Sequence, residues 1–346
     1  MILSDAAKPG GRQPVRIEDV AREAGVSPIT VSRALSAPHK VKKETRDRVM
    51  AAVEKTGYVI NTIASSLRSG RSSIVTVFVA SLQNPHFAAA LQGALDAFEG
   101  SRYSLVFAQT GYKGPADNRI VEIVRPSRPA AVMLTGIPLH ESARSALRDL
   151  GVPVIEVWCD GGEPIDMVAG ASIRDGVELM GRHIAEQGYR NIAYCGQTSL
   201  PGGVGLEGFR AGLESGGARL GHVHAVEGTG TLSAGMAALN AIVDAYPACD
   251  AVYFGSDLLA VGATIAARDR GIEIPGQLAV AGFGDLDFAS HTRPTLTTIS
   301  VSDYETGLLA GGAMRRRLEG GLVIERVIQV PMRLIAREST PPRSKD

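Results

Sequence analysis

Cysteine is scarce in this chain: only Cys159, Cys195 and Cys249 occur among 346 residues, far apart and without a CxxC pair. That excludes a disulfide frame and a zinc site, and the three read as buried apolar residues of a reducing cytoplasm. No apolar run approaches the ~20 residues that a membrane span needs, so no membrane partner is expected. The opening MILSDAAKPGGRQP has Gly and Pro but no apolar core of signal-peptide length, and residues 1–14 read as a disordered tail. There is no G-x-S-x-G elbow, HExxH helix, P-loop or convincing carboxylate pair, which leaves an enzyme reading little support and gives no metal or cofactor a place. Formal net charge is also absent, with 36 basic against 36 acidic residues.

What is present begins at Ile17. Apolar Ile17, Val20, Ala21 and Ala24 recur at helical spacing, and Gly25 ends that helix in a tight turn. Ser27 is a good N-cap and Pro28 suits the first helical position, so a second short helix follows, about 28–35. A third amphipathic stretch near 45–56 supplies Val49 and Val53 to close a small core. Two short helices joined by a Gly-containing turn are the helix-turn-helix arrangement, whose second helix enters the DNA major groove.

DVAREAGVSPITVSRAL, then VKKETRDRVMAAVEKTGY, then Asn61 with Ala64, Ser65 and Leu67, resembles the DNA-binding headpiece of the lactose-repressor (LacI/GalR) family. The resemblance implies that Pro28, Ile29 and Arg33 face base edges and that Thr30 and Ser32 hold phosphates. It also implies that Ala64 and Leu67 lie on a short hinge helix, about 62–68, which folds on operator DNA and wedges a leucine into the minor groove. Many relatives carry polar side chains where Pro28 and Ile29 stand, so direct readout here leans on Arg33 against guanine and Ile29 against a thymine methyl. The alternative is that Ile29 is a core residue and Ser27 with Pro28 only starts a helix.

Charge divides the same way. Residues 1–72 hold 13 Lys and Arg against 7 Asp and Glu, leaving 23 against 29 for the rest. The zero total is therefore a basic head on an acidic body, as phosphate contact requires.

With 45% apolar and 21% charged residues, 346 residues make an ordinary globular chain of two or three domains. From Ile74 onward, β-branched runs at 74–80, 104–109, 130–136 and 152–158 alternate with amphipathic stretches. After a break the rhythm restarts with runs at 191–196, 222–228, 250–256 and 277–283. The expected fold is an all-α helix-turn-helix headpiece plus an α/β body of two doubly wound parallel-sheet subdomains, the periplasmic-binding-protein-like body of the resembled family. The division is 15–60 headpiece, 61–72 hinge and linker, and 73–340 body with a tail at 341–346. The N-subdomain would take about 73–170 and 301–327, the C-subdomain about 171–300 and 328–340. By likeness the chain crosses between them near 169–172, 298–301 and 327–331, permitting hinged closure.

Ligands bind such sheets in the crevice beyond the strand C-termini. Strand ends nominate Phe87, Tyr112, Lys113, Thr135, Trp158, Ser256 and Asp257, with His86 on the first such loop. Phe87 and Trp158 suit the C–H face of a sugar but equally suit a core, and Asp257 equally suits an N-cap. Gly205 stands where the family often has a basic residue. Its common acidic residue falls on Gly284, with Asp285 beside it. QTGYK (109–113) and SDLLAVGA (256–263) look closest to the gluconate-repressor branch, which favours a sugar acid, gluconate or a keto-gluconate, as effector. Gly203, Gly205 and Gly208 match G-x-G-x-x-G, but residues 197–202 separate the motif from its strand, against a dinucleotide fingerprint. Those glycines could instead aim backbone N–H groups at a carboxylate.

The expectation is a ligand-responsive transcription regulator, a repressor acting as a homodimer on near-palindromic operator DNA, because one headpiece touches too few bases for specificity. The competing readings are a solute-binding protein sharing the body and a dinucleotide-dependent dehydrogenase. No leucine heptad follows Arg337, so the family's tetramer device is not expected.

Overall fold

A computed structural model describes residues 15–36, 40–58, 72–111, 116–136, 139–158, 163–198, 203–226, 228, 230–321 and 325–343. The chain forms two compact units, Met1–Arg71 and Ser72–Asp346.

The first unit contains α1 (Ile17–Ala24), α2 (Pro28–Ser36) and α3 (Lys43–Thr56). Helical spacing brings Val20, Ala21 and Ala24 of α1 against Val31 and Ala34 of α2 and Val49 and Ala52 of α3, a core of small residues that lets the helices approach closely. Gly25 adopts φ 62°, where glycine costs least, and the Val26 N–H returns to the Ala21 carbonyl at 3.0 Å. The Ser27 hydroxyl then accepts the Thr30 N–H at 3.2 Å, satisfying a donor that the start of α2 leaves open.

The second unit holds two parallel sheets. The first is built from β1 (Ile74–Val79), β2 (Ser104–Gln109), β3 (Ala131–Thr135), β4 (Val154–Val157), β5 (Met167–Gly170) and, much later, β11 (Val327–Gln329). Helices α4 (Pro85–Ala97), α5 (Ala116–Ser127) and α6 (Glu141–Asp149) link its early strands. Its order is β11-β5-β4-β3-β1-β2. The second sheet, β7-β6-β8-β9, uses β6 (Ile192–Gly196), β7 (Leu220–Ala225), β8 (Ala251–Phe254) and β9 (Ala279–Ala281), wound with α7 (Ile173–Glu186), α8 (Gly203–Ser215), α9 (Leu232–Ala245) and α10 (Asp257–Asp269). A third, two-stranded antiparallel element pairs β10 (Thr298–Ser300) with β12 (Arg333–Ile335). Strands β1, β3 and β4 are buried almost throughout, which explains their largely apolar composition, whereas β2 is a more exposed edge strand.

The apolar rhythm foresaw four strands in the first sheet, and the sheet has six. Strands β5 and β11, of four and three residues, carry no periodicity of their own. They pair because the crossing segments run alongside β4, with Val327 opposite Val168. The chain passes between the sheets at Gly170–Ile173, at Ser300–Asp303 and at Gln329–Arg333.

After the second crossing α11 (Asp303–Leu318) returns to the first sheet and lies on α4. Their backbones touch: a Cβ at Gly93 would fall 2.1 Å from the Tyr304 carbonyl oxygen, and one at Gly307 would fall 1.9 Å from that of Ala90. No side chain fits at either position, so the middle of α4 and the first two turns of α11 are set against each other without slack. Gly307→Ala should force α11 off α4 and destabilise the body by about 1–3 kcal/mol or more. A thermal melt of the purified variant checks this, and an unchanged Tm would mean that the contact is looser than described.

Candidate functional site

Each sheet reverses its strand order beside its first strand, β1 against β3 in one and β6 against β8 in the other. The loops leaving those neighbours turn opposite ways and open a crevice at the strand C-termini. The two crevices meet in one cavity of about 210 Å³. Its first-sheet wall is Asn84 to Phe87, after β1, with Gly136 after β3 and Trp158 after β4. Its second-sheet wall is Gly196 and Gln197 after β6, with Gly255 and Ser256 after β8. Val301 and Met332, on two of the crossings, also line it. The cavity is therefore bounded by both sheets and by two of the segments that cross between them.

At the mouth of α4, Asn84 accepts the His86 N–H at 3.1 Å as N-cap, and Pro85 occupies the first helical position. This aims the His86 imidazole at the start of α11, where its Nδ1 lies 2.6 Å from Asp303 Oδ2. Burial holds the Asp303 carboxyl above the usual carboxylate range, while the bond from His86 pulls it down. The same ring lies edge-on to Phe283 at 6.1 Å and fills the space that a side chain at Gly284 would need. Phe87 packs on Trp158 with centroids 5.5 Å apart. Among the described lining residues His86 is the single basic side chain and Asp303 the single acidic one, with no Lys or Arg.

Of the residues nominated by strand ends, His86, Phe87, Trp158 and Ser256 line the cavity, as does Gly205, nominated by family likeness. Tyr112 and Lys113 lie outside the described residues. Three others are turned elsewhere. Thr135 is buried and donates its hydroxyl to the Phe78 carbonyl at 3.0 Å, tying β3 to β1. Asp285 is held by Arg337 at 2.7 Å, away from the cavity. Asp257 is fully buried, accepting the Leu286 N–H at 2.8 Å and the Thr298 hydroxyl at 2.6 Å, so it anchors the chain between β9 and β10. It is not the cap of α10 either: Ser256 is, accepting the Leu258 N–H at 3.2 Å. Asp303 and Tyr253, both lining the cavity, had no signal at the sequence level, since the first follows a crossing and the second sits inside a strand.

The glycine motif divides its labour. Gly203 opens α8, Gly205 lines the cavity, and Gly208 lets α8 touch α7, where a Cβ would meet the Arg174 carbonyl oxygen at 2.2 Å. Such a helix–helix contact, not a pyrophosphate, explains the third glycine. Both described cysteines are thiols that burial pushes up to about 12, so neither is a nucleophile. No group of three or more His, Cys, Asp or Glu that could hold a metal occurs among the described residues, and no described helix is long and apolar enough to cross a membrane.

In the first unit, Ile29 is 69% exposed, which removes it from the core, and Pro28 and Arg33 are exposed on the same helix. Ser27 is occupied locally, its hydroxyl 2.9 Å from that of Thr30. Ser32 is half-buried. Asn61, Ala64 and Leu67 lie outside the described residues.

Comparison with known proteins agrees with this division. Residues 16–61 match the family described as bacterial regulatory proteins, lacI family, and residues 182–340 match the periplasmic binding protein-like domain. The HTH-type transcriptional regulator GntR of Pseudomonas aeruginosa is 31% identical over 331 residues, 94% of this chain and 95% of that one. The ribose operon repressor of Escherichia coli is 26% identical over 328 residues, 93% of this chain and 99% of that one. A lacI family transcriptional regulator from Silicibacter pomeroyi has a solved structure similar to this one with a TM-score of 0.87 at 30% identity, covering 95% of this chain and 100% of its own.

Asp257 separates a structural carboxylate from a ligand contact. Asp257→Ala strands the Thr298 hydroxyl and the Leu286 N–H and should cost about 1–3 kcal/mol for each donor left unpaired, read as a lowered Tm. A variant that keeps its Tm and loses small-molecule binding instead would return Asp257 to the cavity wall.

Proposed function

This chain belongs to the lacI family of bacterial regulatory proteins and is a DNA-binding transcription regulator; from that premise we propose that it is a cytoplasmic, non-enzymatic repressor of carbohydrate uptake and catabolism genes. The observation that carries the proposal is the pairing, in one chain, of an exposed reading helix with a ligand-sized cavity on a three-crossing hinge. Arg33 takes a guanine edge, Ile29 covers a thymine methyl, and Pro28 shapes the approach. Thr30 and Ser32 hold the phosphates, with Ser27 beside them at the start of the helix. Asn61, Ala64 and Leu67 extend the contact to the minor groove in the centre of the operator.

A homodimer on a near-palindromic site fits the same reading, since two-fold symmetry doubles the bases read. The edge strand β2 presents Val106 and Phe107 to solvent, the kind of apolar edge that a second copy covers. The effector is a small polyhydroxylated molecule in the cavity, with the Phe87–Trp158 pair on one side and Ser256 and the Gly205 turn opposite. A relative named for the ribose operon supports the carbohydrate class. Gluconate or a keto-gluconate stays a member of that class, with Lys113 as the side chain to balance its carboxylate, and Tyr112 beside it.

Arg33→Ala should cost about 1–3 kcal/mol on operator DNA and leave non-specific binding largely intact. Fluorescence anisotropy on operator and scrambled duplexes reads the difference, and equal losses on both would move Arg33 to the phosphate contacts. Coupling must also be reciprocal: whatever factor the effector imposes on operator affinity, operator DNA imposes on effector affinity. Calorimetry with and without the duplex measures it, and a factor of one in both directions would sink the proposed control.

A further inference from the structure

Two buried side-chain polar atoms lack a hydrogen-bond partner among the described residues, Trp158 Nε1 and Asp303 Oδ1. Both residues line the same cavity, and each is only 8% exposed. A folded chain rarely leaves a buried donor or acceptor unmatched, because it loses its water without recompense. Here the unmatched donor and the unmatched acceptor belong to two residues that line one cavity.

Neither atom is there by accident of packing. Trp158 adopts φ 56°, a left-handed conformation that a bulky residue holds only when its surroundings impose it. Its backbone N–H donates to the Ala169 carbonyl at 3.1 Å, and Gly170 clears the ring, since a Cβ there would lie 3.1 Å from the indole Cδ1. Phe87 closes the other side of the ring. Asp303 is held by His86 through one oxygen only, which leaves Oδ1 as the free acceptor. His86 is thus a positioning residue, braced by the close contact of α4 with α11.

We propose that Asp303 and Trp158 form the specificity pair of the cavity and read a hydroxyl-bearing, uncharged part of a carbohydrate, an assignment that rests on the effector-cleft reading above. Asp303 Oδ1 accepts a bond donated by a ligand hydroxyl, and Trp158 Nε1 donates to a ligand oxygen. Asp303 disfavours an acidic end at this wall, where among the described lining residues only His86, already bonded to Asp303, is basic. A sugar acid would have to enter with its carboxylate pointing away from Asp303, whereas a neutral sugar meets no such restriction.

The test uses the full-length protein and calorimetry with D-ribose, D-glucose and D-gluconate. The tightest binder is then titrated as its set of monodeoxyfluoro analogues, in which fluorine cannot donate a hydrogen bond. One analogue should bind wild-type protein at least about tenfold more weakly than the parent, and that penalty should vanish in Asp303→Ala. Trp158→Phe keeps the ring against Phe87 and removes only the donor, so it should hold its Tm without ligand and bind the parent sugar about tenfold more weakly. It also keeps the question open to test if Asp303→Ala fails to fold. A parent sugar that binds, with no analogue penalty dependent on Asp303 and full affinity in Trp158→Phe, overturns the pair and leaves the cleft reading standing. Failure of all three probes to bind a protein that still binds operator overturns the carbohydrate reading, and the pair with it.

Discussion

Everything at the cleft depends on a topological constraint: two parallel sheets, each reversing its order beside its first strand, joined by three chain crossings. The reversal opens one crevice per sheet and the crossings keep the crevices facing each other. Loops of unrelated sequence, after β1, β4, β6 and β8, thereby converge on one space. The convergence is stiffened where α4 meets α11 backbone to backbone at Gly93 and Gly307, because those helices carry His86 and Asp303 in their first turns. A small-residue contact some way along the helices thus fixes a polar pair at their ends.

That pair gives the cleft its electrical character. In a wall lined mainly by aromatic and aliphatic groups and glycine backbone, one carboxylate held by one imidazole outweighs the rest. Two acidic residues nearby are withdrawn from the cavity, Asp257 by Thr298 and Leu286 and Asp285 by Arg337. Their bonds brace the loop from β9 to β10, so the second subdomain keeps its shape without charges that would compete for a ligand. Because the lining includes residues on the crossings, the proposed effector would touch the segments that join the two sheets.

The reading helix follows a different logic. Its unit is small, so its core is made from Val and Ala rather than large side chains, and the outer face of α2 is released for contact. Ile29 stands exposed on that face, where the proposed contact with a thymine methyl would cover it. The basic surplus of residues 1–72 and the acidic surplus of the remainder separate the phosphate-binding and effector-binding tasks along the chain.

The amino-acid sequence by itself determined the headpiece helices and the order of eight of the strands with the amphipathic stretches between them. The caps at Ser27 and Pro28, the glycine stop at Gly25, and the alternation of β-branched runs with amphipathic stretches are local signals, written in neighbours along the chain. It likewise determined that Phe87, Trp158, Gly205 and Ser256 lie at strand ends or helix starts, where a crevice would form. Only the tertiary structure decided which polar groups face the cavity. Thr135 and Asp257 look as available as Ser256 in the one-dimensional pattern, yet their partners, Phe78, Leu286 and Thr298, come from other strands and loops. Strands β5 and β11 and the acceptor on Asp303 were illegible for the same reason: pairing and burial are set by segments distant in the chain, and no local period encodes them.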